Sequence, residues 1–279
     1  MLTSMTTPDW SALRAAEFAL PDGADLPAHV EAAFELLASA DPDERDELAY
    51  PALATWLETG KLDDALPQIG ERAAALFGAS ESHTRSFAAL VLTEVVLRDA
   101  AVRLVSQAHL HAWQSAWAGW YLNEQDLRGW VEGVGWIHAL AHGADVAAVL
   151  AQHPALGQTD LNTLLDTLNG RICTVTLAPH HAEDDRIALA AFLVLSRPEV
   201  TAADLRGWLA SVQAMWQPEY GQPRSVAAAF AVQVGRSLLM FAHLGAQLPG
   251  GAVFPAPESA RLLTPLLAAL KTVFWAYPD

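Results

Sequence analysis

The chain has 279 residues, of which 52% are hydrophobic and 17% charged, so it can bury a large core and is not a disordered protein. Its 32 acidic and 16 basic residues give a formal net charge of −16. This excess of acid argues against nucleic acid and anionic membrane as partners, because both are bound through Lys and Arg. The single cysteine, together with an N-terminus that lacks a signal-peptide pattern, favours a cytoplasmic protein.

Apolar residues recur with a period of 3.6 almost from end to end, which predicts an all-α protein. Five helix starts share one pattern, in which an arginine follows small polar or acidic residues and precedes an apolar run. The arginines are Arg45, Arg85, Arg128, Arg186 and Arg224. Apart from one longer interval, they lie about 40 residues apart, the spacing of HEAT and armadillo repeats.

This spacing predicts an α-α superhelix, a HEAT-like or armadillo-like solenoid of about five helix pairs. We expect a single domain over residues 1–279, with 1–25 as an N-terminal extension and 26–279 as stacked pairs. The inner helices are predicted to begin near Asp43, His83, Asp126, Glu183 and Pro223. Their partner helices are predicted over 27–38, 62–77, 104–121, 159–171, 202–215 and 258–275. An irregular helical bundle is the alternative architecture.

The central segment, residues 126–145, carries the strongest functional signal. Wound as one helix, it would have an apolar arc and a polar arc. The polar arc would hold Arg128, Glu132, His138, His142 and Asp145. Arg128 and Glu132, four residues apart, are expected to form an ion pair on the helix surface. Three glycines, at 129, 133 and 135, would each cost about 0.5–1 kcal/mol in a helix, which indicates a packing or access requirement.

Two histidines and a carboxylate on that arc predict a divalent metal site. His138 and His142 are four residues apart and Asp145 follows three later, so all three face one side of a helix. The metalloprotease pattern is excluded because Ala139 stands where its glutamate is required. A further ligand would have to come from the acidic and histidine-rich segment 180–185. The alternative is that both histidines are hydrogen-bonded packing groups.

Four segments resemble a bacterial family recorded as a domain of unknown function (number 2785): residues 41–50, 84–87, 126–142 and 183–186. The most specific motif runs from Arg128 to His142, as Arg-Gly-Trp-Val-Glu-Gly-x-Gly-Trp-x-His-x-x-x-His. The resemblance extends from about residue 10 to beyond residue 210. It implies an all-helical, HEAT-like fold, and it implies no activity.

The leading functional prediction is a cytoplasmic scaffold whose concave face binds a peptide, a protein partner or a small polar ligand. The centre of that face is predicted to hold Arg85, Arg128, Glu132, His138, His142, Asp145, Asp184 and Arg186. The alternative is a metal-dependent, hydrolase-type enzyme that uses His138, His142 and nearby carboxylates. An enzyme would bring these groups together in an enclosed pocket, whereas a scaffold would spread them along an open groove.

Overall fold

A computed structural model describes residues 8–216, 223–248 and 252–273. Its first half contains α1 (Trp10–Ala15), α2 (Leu26–Leu37), α3 (Pro42–Glu44), a π-turn (Arg45–Ala49), α4 (Tyr50–Glu58), α5 (Leu66–Ala75), α6 (Ser82–Val102) and α7 (Gln107–Asn123), with 3₁₀ turns at Asp63–Ala65 and Leu76–Gly78. The second half contains α8 (Ala139–Gln152), α9 (Gln158–Cys173), α10 (Glu183–Ser196), α11 (Ala202–Trp216), α12 (Val226–Leu244) and α13 (Ala256–Lys271). Two short hairpins pair β1 (Trp130–Val131) with β2 (Gly135–Trp136), and β3 (Gly245–Gln247) with β4 (Val253–Pro255). The predicted all-α class is confirmed.

Short polar side chains begin many of these helices, as the sequence pattern indicated. Asp9, Asp25, Asp41, Ser106 and Ser225 each accept a hydrogen bond from a backbone N–H of the first turn. The first turn of α10 is acidic instead, which suits the positive end of the helix dipole. These caps fix where the helices start and therefore how they align with one another.

The helices pack in two rows. In the first row α4 contacts α6, α6 contacts α8, α8 contacts α10 and α10 contacts α12. In the second row α5 contacts α7, α7 contacts α9 and α9 contacts α11, while α13 packs on α12. We call the row from α4 to α12 the inner row. Because α6, α8 and α10 lie side by side in it, polar residues on their facing surfaces come together.

One hydrophobic cluster extends from Leu13 to Val273. The segment predicted as an N-terminal extension takes part in it, because α1 buries Leu13 and the backbone carbonyl of Phe18 accepts a 2.9 Å hydrogen bond from Trp56 Nε1. Residues 1–7 and the predicted helix end at 274–275 lie outside the described residues.

One described helix, α12, is long and apolar enough to cross a membrane by length and composition. It also packs against α10, α11 and α13, and a buried helix of a globular protein meets the same criterion.

The central segment departs from the prediction, because residues 126–138 are not helical and α8 begins at Ala139 instead of near Asp126. Trp130 pairs with Trp136 across the hairpin, and the N–H of Val134 donates to the carbonyl of Val131 at 3.0 Å. Gly133 and Gly135 have φ values of +77° and +81°. Glycine adopts this conformation readily, so these glycines serve a turn and not the interior of a helix.

Candidate functional site

A buried arginine holds the β1–β2 hairpin against the start of the inner row. The Arg45 side chain is fully buried, and its Nη2 donates to the carbonyl of Val134 at 2.7 Å. Its guanidinium also lies 4.9 Å from the centre of the Phe87 ring. Gly135 packs so closely on this region that an added Cβ would be 2.7 Å from Pro42 Cβ. The hairpin is therefore fixed in place by contacts at its turn and at its second strand.

Aromatic rings connect the hairpin to the first turn of α8. Trp136 stacks on the His138 imidazole with ring centres 4.7 Å apart, and Trp130 meets Trp136 edge-on at 5.2 Å. Trp130 itself is 52% exposed, so one face of this aromatic cluster is open to solvent. His138 has a φ of +48°, and its backbone N–H donates to the carbonyl of Arg128 at 3.0 Å.

His138 contacts the loop before α10. Its Nε2 lies 3.2 Å from the His181 carbonyl and 3.5 Å from Glu183 Oε1. Because a carbonyl can only accept, this contact requires the proton on His138 Nε2. Burial lowers the pKa of His138, while the Glu183 carboxylate opposes that effect. His138 is thus a neutral donor that joins α8 to α10, and its Nε2 is not available as a metal ligand.

His142 lies one turn further along α8 and is 6% exposed. Its Nδ1 is 2.8 Å from Ser86 Oγ, and its ring meets Phe87 edge-on at 5.4 Å. Burial lowers the pKa of His142 well below its usual value, and the neighbouring His138 adds to the effect. His142 Nε2 has no hydrogen-bond partner among the residues that the structure describes.

A cavity of about 290 Å³ opens beside His142, between α4, α6, α8 and α10. We call it the inner-face cavity. Its apolar walls are formed mainly by Leu90, Leu97, Ala148, Val149 and Leu189. Its titratable lining consists of Tyr50, Glu94, His142, Asp145 and Arg186. Four successive helices of the inner row therefore contribute titratable side chains to this cavity.

The two carboxyl groups of the inner-face cavity are held by different partners. Tyr50 Oη donates to Glu94 Oε1 at 2.9 Å, and Arg186 Nη1 donates to Asp145 Oδ1 at 2.7 Å. Burial raises the pKa of Glu94. It raises the pKa of Asp145 to about 6, with Arg186 opposing the shift and Glu94 adding to it. The cavity therefore carries a group that changes charge near neutral pH.

Several predicted site residues lie outside this cavity. Arg85 lines a separate cavity of about 480 Å³ and pairs with Glu124 at 2.7 Å. Arg128 pairs with Asp126 at 2.6 Å, so the predicted pair with Glu132 was wrong. Glu132 instead sits exposed in the hairpin turn. The hairpin explains both differences, because residues four apart share a face only in a helix.

Asp184 is half-buried in the first turn of α10 and is not among the residues that line the inner-face cavity. Burial and the neighbouring Asp185 raise its pKa. Within the described parts of the chain, no three His, Cys, Asp or Glu side chains are grouped so as to hold a metal ion. The predicted set of His138, His142 and Asp145 is thus not such a group, because the helix that was to align it starts only after His138.

Tyr50 and Glu94 line the cavity but were not predicted from the sequence. A usable signal exists for Glu94, which is the only charged residue in the apolar run from Phe87 to Leu97. A lone carboxylate in such a run requires a polar partner or a site. Tyr50 offers no comparable signal, because a tyrosine on a helix is ordinarily a packing residue.

Fold and site together define an all-α protein with two rows of helices, a fixed hairpin and a polar cavity on the inner row. The chain belongs to the family described as "Protein of unknown function (DUF2785)", whose model matches residues 78–241. The match includes the hairpin and every titratable residue of the inner-face cavity except Tyr50. No curated protein and no solved structure matches this chain.

Proposed function

We propose that the protein is a cytoplasmic, HEAT-like helical-repeat scaffold that binds a peptide, a protein partner or a small polar ligand in its inner-face cavity. One observation carries the proposal: four successive helices of one row line a single cavity that combines apolar walls with titratable groups. Concave pockets of this composition are the usual location of ligand sites, and repeat proteins bind partners across successive units.

The repeat architecture is supported by polar contacts that recur at similar separations. Arg85 bonds to Glu124, 39 residues away, and Arg186 bonds to Asp145, 41 residues away. Stacked two-helix units of about 40 residues place equivalent positions of neighbouring units in contact. The same contacts favour a structural role for Arg85, whose Nη1 also donates to the carbonyls of Ala79 and Ser80.

Polar atoms of the inner-face cavity are incompletely bonded and are therefore available to a ligand. Asp145 Oδ2, Glu94 Oε2 and His142 Nε2 lack hydrogen-bond partners among the described residues. The hydrolase alternative has less support, because no three His, Cys, Asp or Glu side chains in the described parts of the chain are grouped so as to hold a metal ion.

The proposal is tested by blocking the cavity with Leu97→Trp. Leu97 lines the cavity and is 37% exposed, so a larger side chain can be accommodated without unfolding. Leu104→Trp is the matched control, because Leu104 is 51% exposed and does not line the cavity. The probes are the Nα-acetyl methylamides of lysine, glutamate and leucine, titrated against amide resonances of α6, α8 and α10.

At least one of the three probes should shift amides around the cavity, and only Leu97→Trp should abolish that shift. The proposal fails if no probe shifts those amides, or if the cavity-blocking variant binds as well as the control.

A further inference from the structure

We propose that the inner-face cavity binds a primary ammonium group carried on an aliphatic stem, as in a lysine side chain. This inference rests on the proposed function of the same cavity and names its ligand class.

The inner-face cavity has an excess of hydrogen-bond acceptors. Glu94 bonds through Oε1 and Asp145 through Oδ1, which leaves the second oxygen of each carboxylate without a partner among the described residues. His142 contributes Nε2, which is an acceptor in the tautomer whose Nδ1–H donates to Ser86. An ammonium group has three N–H donors and no acceptor, so it complements this set.

A buried histidine presents a polar atom to the cavity. His142 is 6% exposed and lines the cavity, yet its Nε2 is unpartnered within the described parts of the chain. A polar atom in so buried a side chain is normally hydrogen-bonded to protein, water or ligand. The unpartnered nitrogen therefore faces accessible space in the cavity, where it is available to a ligand.

The charges that line the cavity favour a cationic ligand. Two carboxyl groups, Glu94 and Asp145, face one guanidinium, and Arg186 is the only basic side chain among the described residues that line the cavity. Burial raises the pKa of both carboxyl groups, and a bound cation would relieve that unfavourable charge burial. A carboxylate ligand would be repelled by Glu94 and Asp145. Its only attractive charge would be Arg186, which already pairs with Asp145.

The walls of the cavity suit an aliphatic stem. The remaining walls are aliphatic, including Leu90, Leu97, Val149 and Leu189. Lysine stems pack along apolar surfaces of this kind while the charged end reaches polar groups. A guanidinium is planar and less compact, so the ammonium is the better match to acceptors contributed by different helices.

The test compares probes that differ only in the ammonium group. Nα-acetyl-lysine methylamide should shift amides of α6 and α8, whereas the norleucine analogue, which has the stem without the charge, should bind at least about tenfold more weakly. Glu94→Gln keeps an acceptor for Tyr50 but removes the charge, and it should weaken lysine binding by a similar factor. Glu31→Gln is the control, because Glu31 lines a different cavity with Arg72.

Titration with n-pentylamine distinguishes a free amine from a lysine side chain as the source of the ammonium group. Equal binding of the amine and the lysine probe would support a free amine as ligand, and tighter binding of the lysine probe would support a peptide. The inference is overturned if norleucine or glutamate probes bind as well as lysine, although binding in the cavity would then stand. If no probe shifts the cavity amides, the proposed function fails as well.

Discussion

Replacing the hairpin glycines with alanine distinguishes the observed turn from the predicted helix. In a turn these substitutions should decrease the free energy of unfolding, and in a helix they should increase it. In a helix, Gly→Ala would stabilise the protein by about 0.5–1 kcal/mol at each position. In the hairpin, Gly133 has a φ of +77° with open space around its Cα, so Gly133→Ala should cost about 1–2 kcal/mol from backbone strain alone. Gly135→Ala adds a 2.7 Å contact with Pro42 Cβ and should cost about 2–4 kcal/mol in total.

The assay is urea unfolding followed by far-UV circular dichroism, with the midpoint compared at an unchanged slope. Gly133→Ala is the matched control for backbone strain, and the difference between the two variants isolates the contact with Pro42. Stabilisation by both alanines, or equal costs for both, would refute the account of the hairpin.

Three further predictions concern the residues around the site. Arg45→Met removes the hydrogen bond to the Val134 carbonyl and should cost about 2–3 kcal/mol, with a change in Trp130 fluorescence as the hairpin loosens; an unchanged emission spectrum would contradict this. Burial lowers the pKa of His142 in the folded protein, so as the pH falls His142 is protonated in the unfolded state before it is protonated in the folded state. The free energy of unfolding should therefore decrease as the pH drops below about 6.5. This loss of stability at low pH, measured by urea unfolding, should be smaller in His142→Gln. A variant whose stability depends on pH as that of the unsubstituted protein does would exclude the effect. Because the pKa of Asp145 is about 6, binding of the lysine probe should strengthen as pH rises from 5 to 7, and Asp145→Asn should flatten that dependence in a calorimetric titration.

Helical periodicity was sufficient to predict the fold class and most element positions. The starts predicted near His83 and Glu183 agree with α6 and α10, because the change from a polar segment to an apolar run is a local feature of the sequence. The hairpin was missed because its apolar residues also fit a helical arc when two glycines are treated as tolerated interruptions. Glu-Gly-Val-Gly at residues 132–135 is a turn-forming sequence, and a tryptophan lies on each side of it. This pattern predicts a β-hairpin.

The site was predicted only where the helix assumption held. His142 and Asp145 lie in α8 and do share a face, and Arg186 reaches them from α10. Arg128 and Glu132 were placed with them only by the assumed continuation of that helix. Tyr50 comes from α4, more than ninety residues before Asp145, and contact across the inner row depends on tertiary packing that periodicity does not encode.

The most direct test is a crystal structure of the protein with bound Nα-acetyl-lysine methylamide. The account predicts density in the inner-face cavity, with the ammonium nitrogen about 3 Å from carboxylate oxygens of Glu94 and Asp145. Density for the probe in another cavity, or an empty inner-face cavity at a concentration that saturates binding in solution, would contradict it.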